Sequence, residues 1–143
     1  MTKTTPEFTH PISWSAPDFS LDSYNLIFLP GGHEKSVRQL IDSPVMHEHL
    51  ASYFPGTKKP STKSVAAVCH GVMVLSETHG GDGKSVIHEC VTTALPARFE
   101  QMAFWSTRAF LGDYCKTYGA GSDDVEASVC FPRTLKLAVL TTY

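Results

Sequence analysis

A chain of 143 residues, 42% of them hydrophobic, is long enough for one domain around a continuous core. A formal net charge of −2 with no run of like charges excludes the basic excess that holds a phosphate backbone, so nucleic acid is not an expected partner. No apolar stretch approaches the ~20 residues that cross a bilayer and Met1 to His10 lacks a hydrophobic signal core, so the expectation is a cytoplasmic protein with no membrane partner.

The first twenty-odd residues hold Pro6, Pro11 and Pro17 among Ser and Thr, which favours extended or turn backbone, and residues 1–23 are expected to form a leader outside the core. Tyr24 to Leu29 is a short apolar run closed by Pro30-Gly31-Gly32, the pattern of a buried parallel strand. Val37, Leu40 and Ile41 fall at helical spacing. Ser43 and Pro44 supply the cap and first turn of a second helix, with Val45, Leu50 and Phe54 inward. Pro55 to Ser64 is a loop, and Val65 to Val68 is a second buried strand that runs directly into Cys69-His70-Gly71 and a helix from Val72 to Glu77. Thr78 to Gly83 is a turn and Ser85 to Glu89 a short strand. Pro96 to Tyr118 is a long amphipathic helix ending at Gly119, with Phe99, Met102, Ala103, Trp105, Phe110, Leu111 and Tyr114 as its apolar positions. Strands alternating with helices predict an α/β fold whose mostly parallel sheet is covered on both faces.

Four cysteines, Cys69, Cys90, Cys115 and Cys130, show no CxxC spacing and are read as reduced thiols. His47 and His49 are two apart, which splits them between helix faces, and His33-Glu34 lacks the second histidine of a zinc helix. Surface histidines are the default for both, and neither a metal nor a cofactor is expected. The run from His79 to Ser85 has Thr78 where a phosphate loop needs its first glycine, so an ordinary turn is expected.

Cys69 carries the chemistry. A free cysteine after an apolar run is by default a buried small hydrophobe. Here the residue stands at a sharp strand-to-helix turn, which exposes a nucleophile at the carboxyl edge of a sheet beside backbone N–H donors. His70 follows directly and can supply charge or move a proton, and a helix amino terminus with an adjacent imidazolium favours thiolate over thiol. Ala67 and Gly71 flank the turn where bulk would collide. Gly31 and Gly32 are expected at the same sheet edge, where an uncrowded N–H can help bind an oxyanion.

Tyr24 to Gly32 (YNLIFLPGG) and Val65 to Gly71 (VAAVCHG) together resemble the paired hallmarks of the DJ-1/PfpI superfamily, relatives of class I glutamine amidotransferases. Pro6 to Trp14 (PEFTHPISW), Pro30 to His33 (PGGH), Thr92 to Pro96 (TTALP) and Leu111 to Tyr118 (LGDYCKTY) are similar to a microbial and fungal branch of it. The resemblance covers roughly residues 6 to 126. It implies a single domain over 1–143, with the matching core at 24–118 and a divergent tail at 119–143. It also implies a flavodoxin-like three-layer sandwich, with Cys69 as nucleophile, His70 its neighbour, and the N–H groups of Gly32 and His70 as the oxyanion site. Activities in the superfamily include glyoxalase and deglycase action on reactive carbonyls, isocyanide hydration, proteolysis, and chaperone or redox-sensing roles.

The chain departs from that pattern at both ends. The family's opening strand, helix and strand have no counterpart before Pro6, and the family's later strands and closing helix are replaced by one strand-like run, Leu135 to Leu140. The loss predicts an unpaired edge along Tyr24 to Leu29 and a homodimer formed across it. It also removes the acid that normally bonds the thiol. In related proteases an acid shortly after Pro-Gly-Gly serves instead; that position is Ser36 here, and Glu34 stands as the candidate acid, its default role being a solvated residue in a helix's first turn. Two functions follow. One is a cysteine-nucleophile enzyme, of glyoxalase, hydratase or hydrolase type, acting on a small electrophile such as methylglyoxal, an isocyanide or an amide. The alternative is a non-catalytic stress-response, chaperone or redox-sensing protein that keeps the elbow.

Overall fold

The computed structural model describes residues 6–32, 34–122 and 124–129; His33 and the run Leu135 to Leu140 lie outside them. Among the described residues two short parallel strands form the sheet: β1 (Leu26–Leu29) and β2 (Ser64–Ala67), paired Leu26 to Ser64 through Leu29 to Ala67. The pairing runs past each strand end, through Ser64 N–H to the Asn25 carbonyl at 2.8 Å and Val68 N–H to the Leu29 carbonyl at 3.1 Å. Side chains alternate across a strand. Ile27 and Leu29 therefore face the core while Leu26 and Phe28 face out.

Around the sheet lie α1 (Pro6–Thr9), α2 (Arg38–Ile41), α3 (Pro44–Tyr53), α4 (Gly71–Glu77), α5 (Ala97–Leu111) and α6 (Val125–Val129). Helix α3 begins as its sequence predicts, with Pro44 in the first turn and the Ser43 hydroxyl accepting the Met46 N–H at 3.2 Å. Its buried face is Met46, Leu50 and Tyr53, spaced four and three apart, so of the expected Val45, Leu50 and Phe54 only Leu50 is buried, and Phe54 lies past the helix end. Tyr53 adds a hydrogen bond from its hydroxyl to the Tyr24 carbonyl at 2.9 Å, which ties α3 to the start of β1. Helix α4 is buried from Gly71 through Leu75 and packs against β1, α2, α3 and α6, so it is the central element of the core.

Several expectations are corrected. Residues 6–23 are not a detached leader: Leu21 is buried in a short 3-10 turn, Leu21–Ser23, and Trp14 and Phe19 pack on the core. His47 and His49 are half-buried brackets. Their Nε2 atoms bond the carbonyls of Ile41 at 2.7 Å and Trp14 at 3.0 Å, and the Phe19 ring stands edge-on to His49. Ser85 to Glu89 is a run of turns. Only Ser85 makes a bridge, to His79, which closes the loop around Gly80 to Lys84.

The long helix stops at Leu111, seven residues before the expected end, because Gly112 takes φ 60°, a left-handed conformation that only glycine adopts without strain. Its inner face also differs from the apolar stripe expected for it. Phe99, Met102, Trp105 and Phe110 are exposed, and the buried positions are Glu100 and Phe104. No helix among the described residues is long and apolar enough to cross a membrane.

Candidate active site at a strand-to-helix elbow

Strand β2 ends at Ala67 and α4 begins at Gly71, so the chain reverses from strand to helix within Val68, Cys69 and His70. The turn is sharp enough to force Cys69 to φ 53°, and Cys69 is the one non-glycine residue among those described with positive φ. A side chain in this region is strained by about 1–2 kcal/mol, a cost that persists only where surrounding structure holds it. Two glycines do the holding. A Cβ on Gly71 would collide with the carbonyls of Leu29 and Pro30, and a Cβ on Gly31 would strike the Val68 carbonyl and the Cys69 Cβ. The Pro30-Gly31-Gly32 loop after β1 thus lies directly on the elbow after β2, as the two parallel strands place their carboxyl ends side by side.

The Cys69 thiol is exposed, whereas His70 is 2% exposed. Cys69 Sγ and His70 Nδ1 are 3.3 Å apart. The other ring nitrogen, Nε2, faces Glu100 Oε1 at 3.6 Å, and Glu100 is itself buried. Burial opposes a charged imidazolium, but the Glu100 carboxylate and the Cys69 sulfur outweigh it and hold His70 above its ordinary pKa. Glu100 moves the opposite way. Burial favours its neutral form, yet His70, the Val125 N–H and the Lys116 ammonium together keep it below the usual carboxylate range. The result is a buried carboxylate that stays ionised behind a histidine that readily holds a proton.

Helices α5 and α6 fix Glu100 by capping one another. Glu126 Oε2 of α6 accepts the Ala97 N–H that opens α5 at 2.8 Å, and Glu100 Oε2 of α5 accepts the Val125 N–H that opens α6 at 3.2 Å. Lys116, also buried, places its ammonium 3.4 Å from Glu100 Oε1, the oxygen that faces His70.

Of the residues singled out in the sequence, Cys69, His70 and Gly31 meet at the carboxyl edge of the sheet, and Gly32 follows Gly31 in the same loop. The amides of Gly32 and His70 donate to no acceptor among the described residues. Glu34 does not join them. It is exposed ahead of a short 3-10 turn, Lys35–Val37, and its carboxylate accepts the Ser36 hydroxyl at 2.7 Å, while the acid behind His70 is Glu100. Cys115 is buried and accepts the Thr107 hydroxyl at 3.2 Å, and burial followed by the nearby Glu89 pushes the Cys90 thiol up. Among the described residues no group of three His, Cys, Asp or Glu side chains is placed to hold a metal ion.

A family model described as ThiJ/PfpI family-like matches residues 1–129, most of the chain. The chain belongs to the ThiJ/PfpI family. The flavodoxin-like α/β fold of the ThiJ/PfpI family agrees with the mixture of helices and parallel sheet described above, of which the described residues contain two strands. A relative, an uncharacterized protein of Schizosaccharomyces pombe, is 32% identical over 73 residues, a match covering 50% of this chain and 27% of the relative. The ThiJ/PfpI chain described here therefore matches only about a quarter of that relative's length. No solved structure matches it.

Proposed function

We propose that this protein is a cysteine-nucleophile enzyme that acts on a small electrophilic carbon, with a reactive carbonyl such as methylglyoxal as the leading substrate class. The observation that carries the reading is the line Cys69, His70, Glu100: an exposed sulfur at 3.3 Å from one nitrogen of a buried imidazole whose other nitrogen is 3.6 Å from a buried carboxylate. A nucleophile, a base and a group that orients the base form the general pattern of activated covalent catalysis.

In the proposed step the Cys69 proton passes to His70 Nδ1, and the thiolate adds to the carbonyl carbon. One S–C bond forms as the C=O π pair moves onto oxygen. That oxygen is met by the backbone N–H groups of Gly32 and His70 and then takes the proton back from the imidazolium, giving a hemithioacetal. Glu100 does not touch substrate in this scheme; it stabilises the imidazolium and holds the ring in place. An isocyanide or amide carbon fits the same first step.

The test is methylglyoxal consumption by the purified protein beside Cys69→Ala, after size-exclusion chromatography has shown both to be folded. Turnover by the parent and none by the variant supports the assignment. Equal rates from the two folded proteins would reject glyoxalase chemistry at Cys69.

A further inference from the structure

A cavity of about 510 Å³ opens away from the elbow, where β2 begins rather than where it ends. Ser64 and Val65, at the start of β2, line this cavity, whereas Cys69 stands in the turn beyond the strand's other end at Ala67. Its volume is within the ~300–1,000 Å³ of small-molecule sites.

The lining divides by chemistry. Phe54, Val65, Leu75 and Val86 supply an apolar floor, with Leu75 only 1% exposed. Lys58, Lys59, Lys63 and Lys84 stand around it, so four of the chain's eight lysines gather on one cavity in a protein whose net charge is −2. Against these four ammoniums are two carboxylates, Asp82, which lies on the Lys84 turn and feels the Lys84 charge, and Glu89, which lies beside His88. Asp82 accepts the Lys84 backbone N–H at 3.1 Å, and Glu89 lies 3.6 Å from His88 Nε2.

Two of the lysines are also committed. Lys63 pairs with Asp22 at 3.0 Å and lies over the Tyr53 ring, and Lys59 donates to the Ser61 carbonyl at 3.3 Å. The Lys58 and Lys84 ammoniums have no hydrogen-bond or ion-pair partner among the described residues, although they come from loops 26 residues apart in numbering. Two cations without a hydrogen-bonded or ion-paired partner among those residues, Lys58 and the Lys84 that neighbours Asp82, stand over an apolar floor and select a ligand that is anionic at one end and apolar at the other.

We infer that this cavity binds a small organic anion, a phosphate monoester or carboxylate whose hydrocarbon body rests on Phe54, Val65, Leu75 and Val86 while its charged end meets Lys58 and Lys84. The site is separate from Cys69 and does not depend on the proposed chemistry there.

The experiment is calorimetric titration of the full chain with phenyl phosphate, beside inorganic phosphate and beside the variant Lys58→Glu/Lys84→Glu. Both lysines are exposed, so the variant should keep its fold, which circular dichroism checks. Saturable binding of phenyl phosphate is expected, tighter than inorganic phosphate and weakened at least about tenfold, ~1.4 kcal/mol, in the variant. Absence of saturable binding at millimolar ligand, equal affinity in the variant, or inorganic phosphate binding as tightly as phenyl phosphate would each overturn the inference.

Discussion

His70 Nε2 and Glu100 Oε1 face each other at 3.6 Å, with both side chains almost wholly buried although they are 30 positions apart in the chain. A buried imidazole beside a buried carboxylate couples the protonation of the site to the stability of the fold, and the first expected outcome comes from that coupling.

His70 is held above its ordinary value, so its contribution to stability is complete below the unfolded pKa of about 6.5 and is lost as pH rises through the higher folded value. Glu100 is held below its ordinary value, so its contribution is complete above about 4.3 and is lost as pH falls through the lower folded value. Thermal midpoints should therefore be highest between roughly pH 4.3 and 6.5 and decline on the alkaline side. Glu100→Gln should flatten that alkaline decline; an unchanged slope in the variant would mean that another group causes it.

Lys116 and Glu100 form a buried pair, and removing one member strands the other's charge. Lys116→Met alone should cost about 3 kcal/mol in urea denaturation, while Lys116→Met combined with Glu100→Gln should cost clearly less than the sum of the two single changes. Additive losses would show that the pair does not interact energetically.

The strained backbone of Cys69 gives a prediction of opposite sign. Cys69→Gly should be more stable than Cys69→Ala by about 0.5–1 kcal/mol, because glycine adopts φ 53° freely and this relief exceeds its added unfolded-state entropy. Equilibrium unfolding of the two variants measures it, and a less stable glycine variant would place the strain elsewhere.

Gly71 and Gly81 make a matched pair for testing the elbow's packing. A methyl on Gly71 meets backbone carbonyls of the facing strand, which cannot yield like a flexible side chain, whereas a methyl on Gly81 meets nothing within 4 Å. Gly71→Ala should lose about 1–3 kcal/mol, and Gly81→Ala should stay within about 0.5 kcal/mol of the parent. Similar stabilities for the two variants would contradict the close approach of the strands.

The elbow was legible in the sequence because its causes are local: an apolar run, then Cys69, His70 and Gly71, with the pair Gly31-Gly32 after the preceding strand. The start of helix α3 was legible for the same reason, through Ser43 and Pro44, but its inner face was not, since Met46 and Tyr53 are buried with Leu50 where Val45 and Phe54 were expected. Glu100 was not. In α5 the aromatic residues draw attention to Phe99, Met102, Trp105 and Phe110, yet the helix turns Glu100 and Phe104 inward. The available sign was an acid in the first turn, four residues before an aromatic, but a first-turn acid is ordinarily read as solvated and favoured by the helix dipole. Its inward role depends on His70, Lys116 and the Val125 N–H, three partners distant in sequence. The early end of α5 was missed because Gly119 offered as good a terminus as Gly112, and the burial of Leu21 because prolines around it masked a single core residue.

The four-residue register between β1 and β2 acts as a measuring device. Since Leu29 opposite Ala67 brings the Gly31 loop against Cys69, a residue inserted or deleted inside either strand shifts one loop past the other by about 3.3 Å and turns every following side chain to the opposite face. The loop from Lys58 to Lys63 lies before that gauge begins, so length variation there leaves the alignment of Cys69 untouched. Natural and engineered variants of this chain should accordingly differ in length between the strands and not within them.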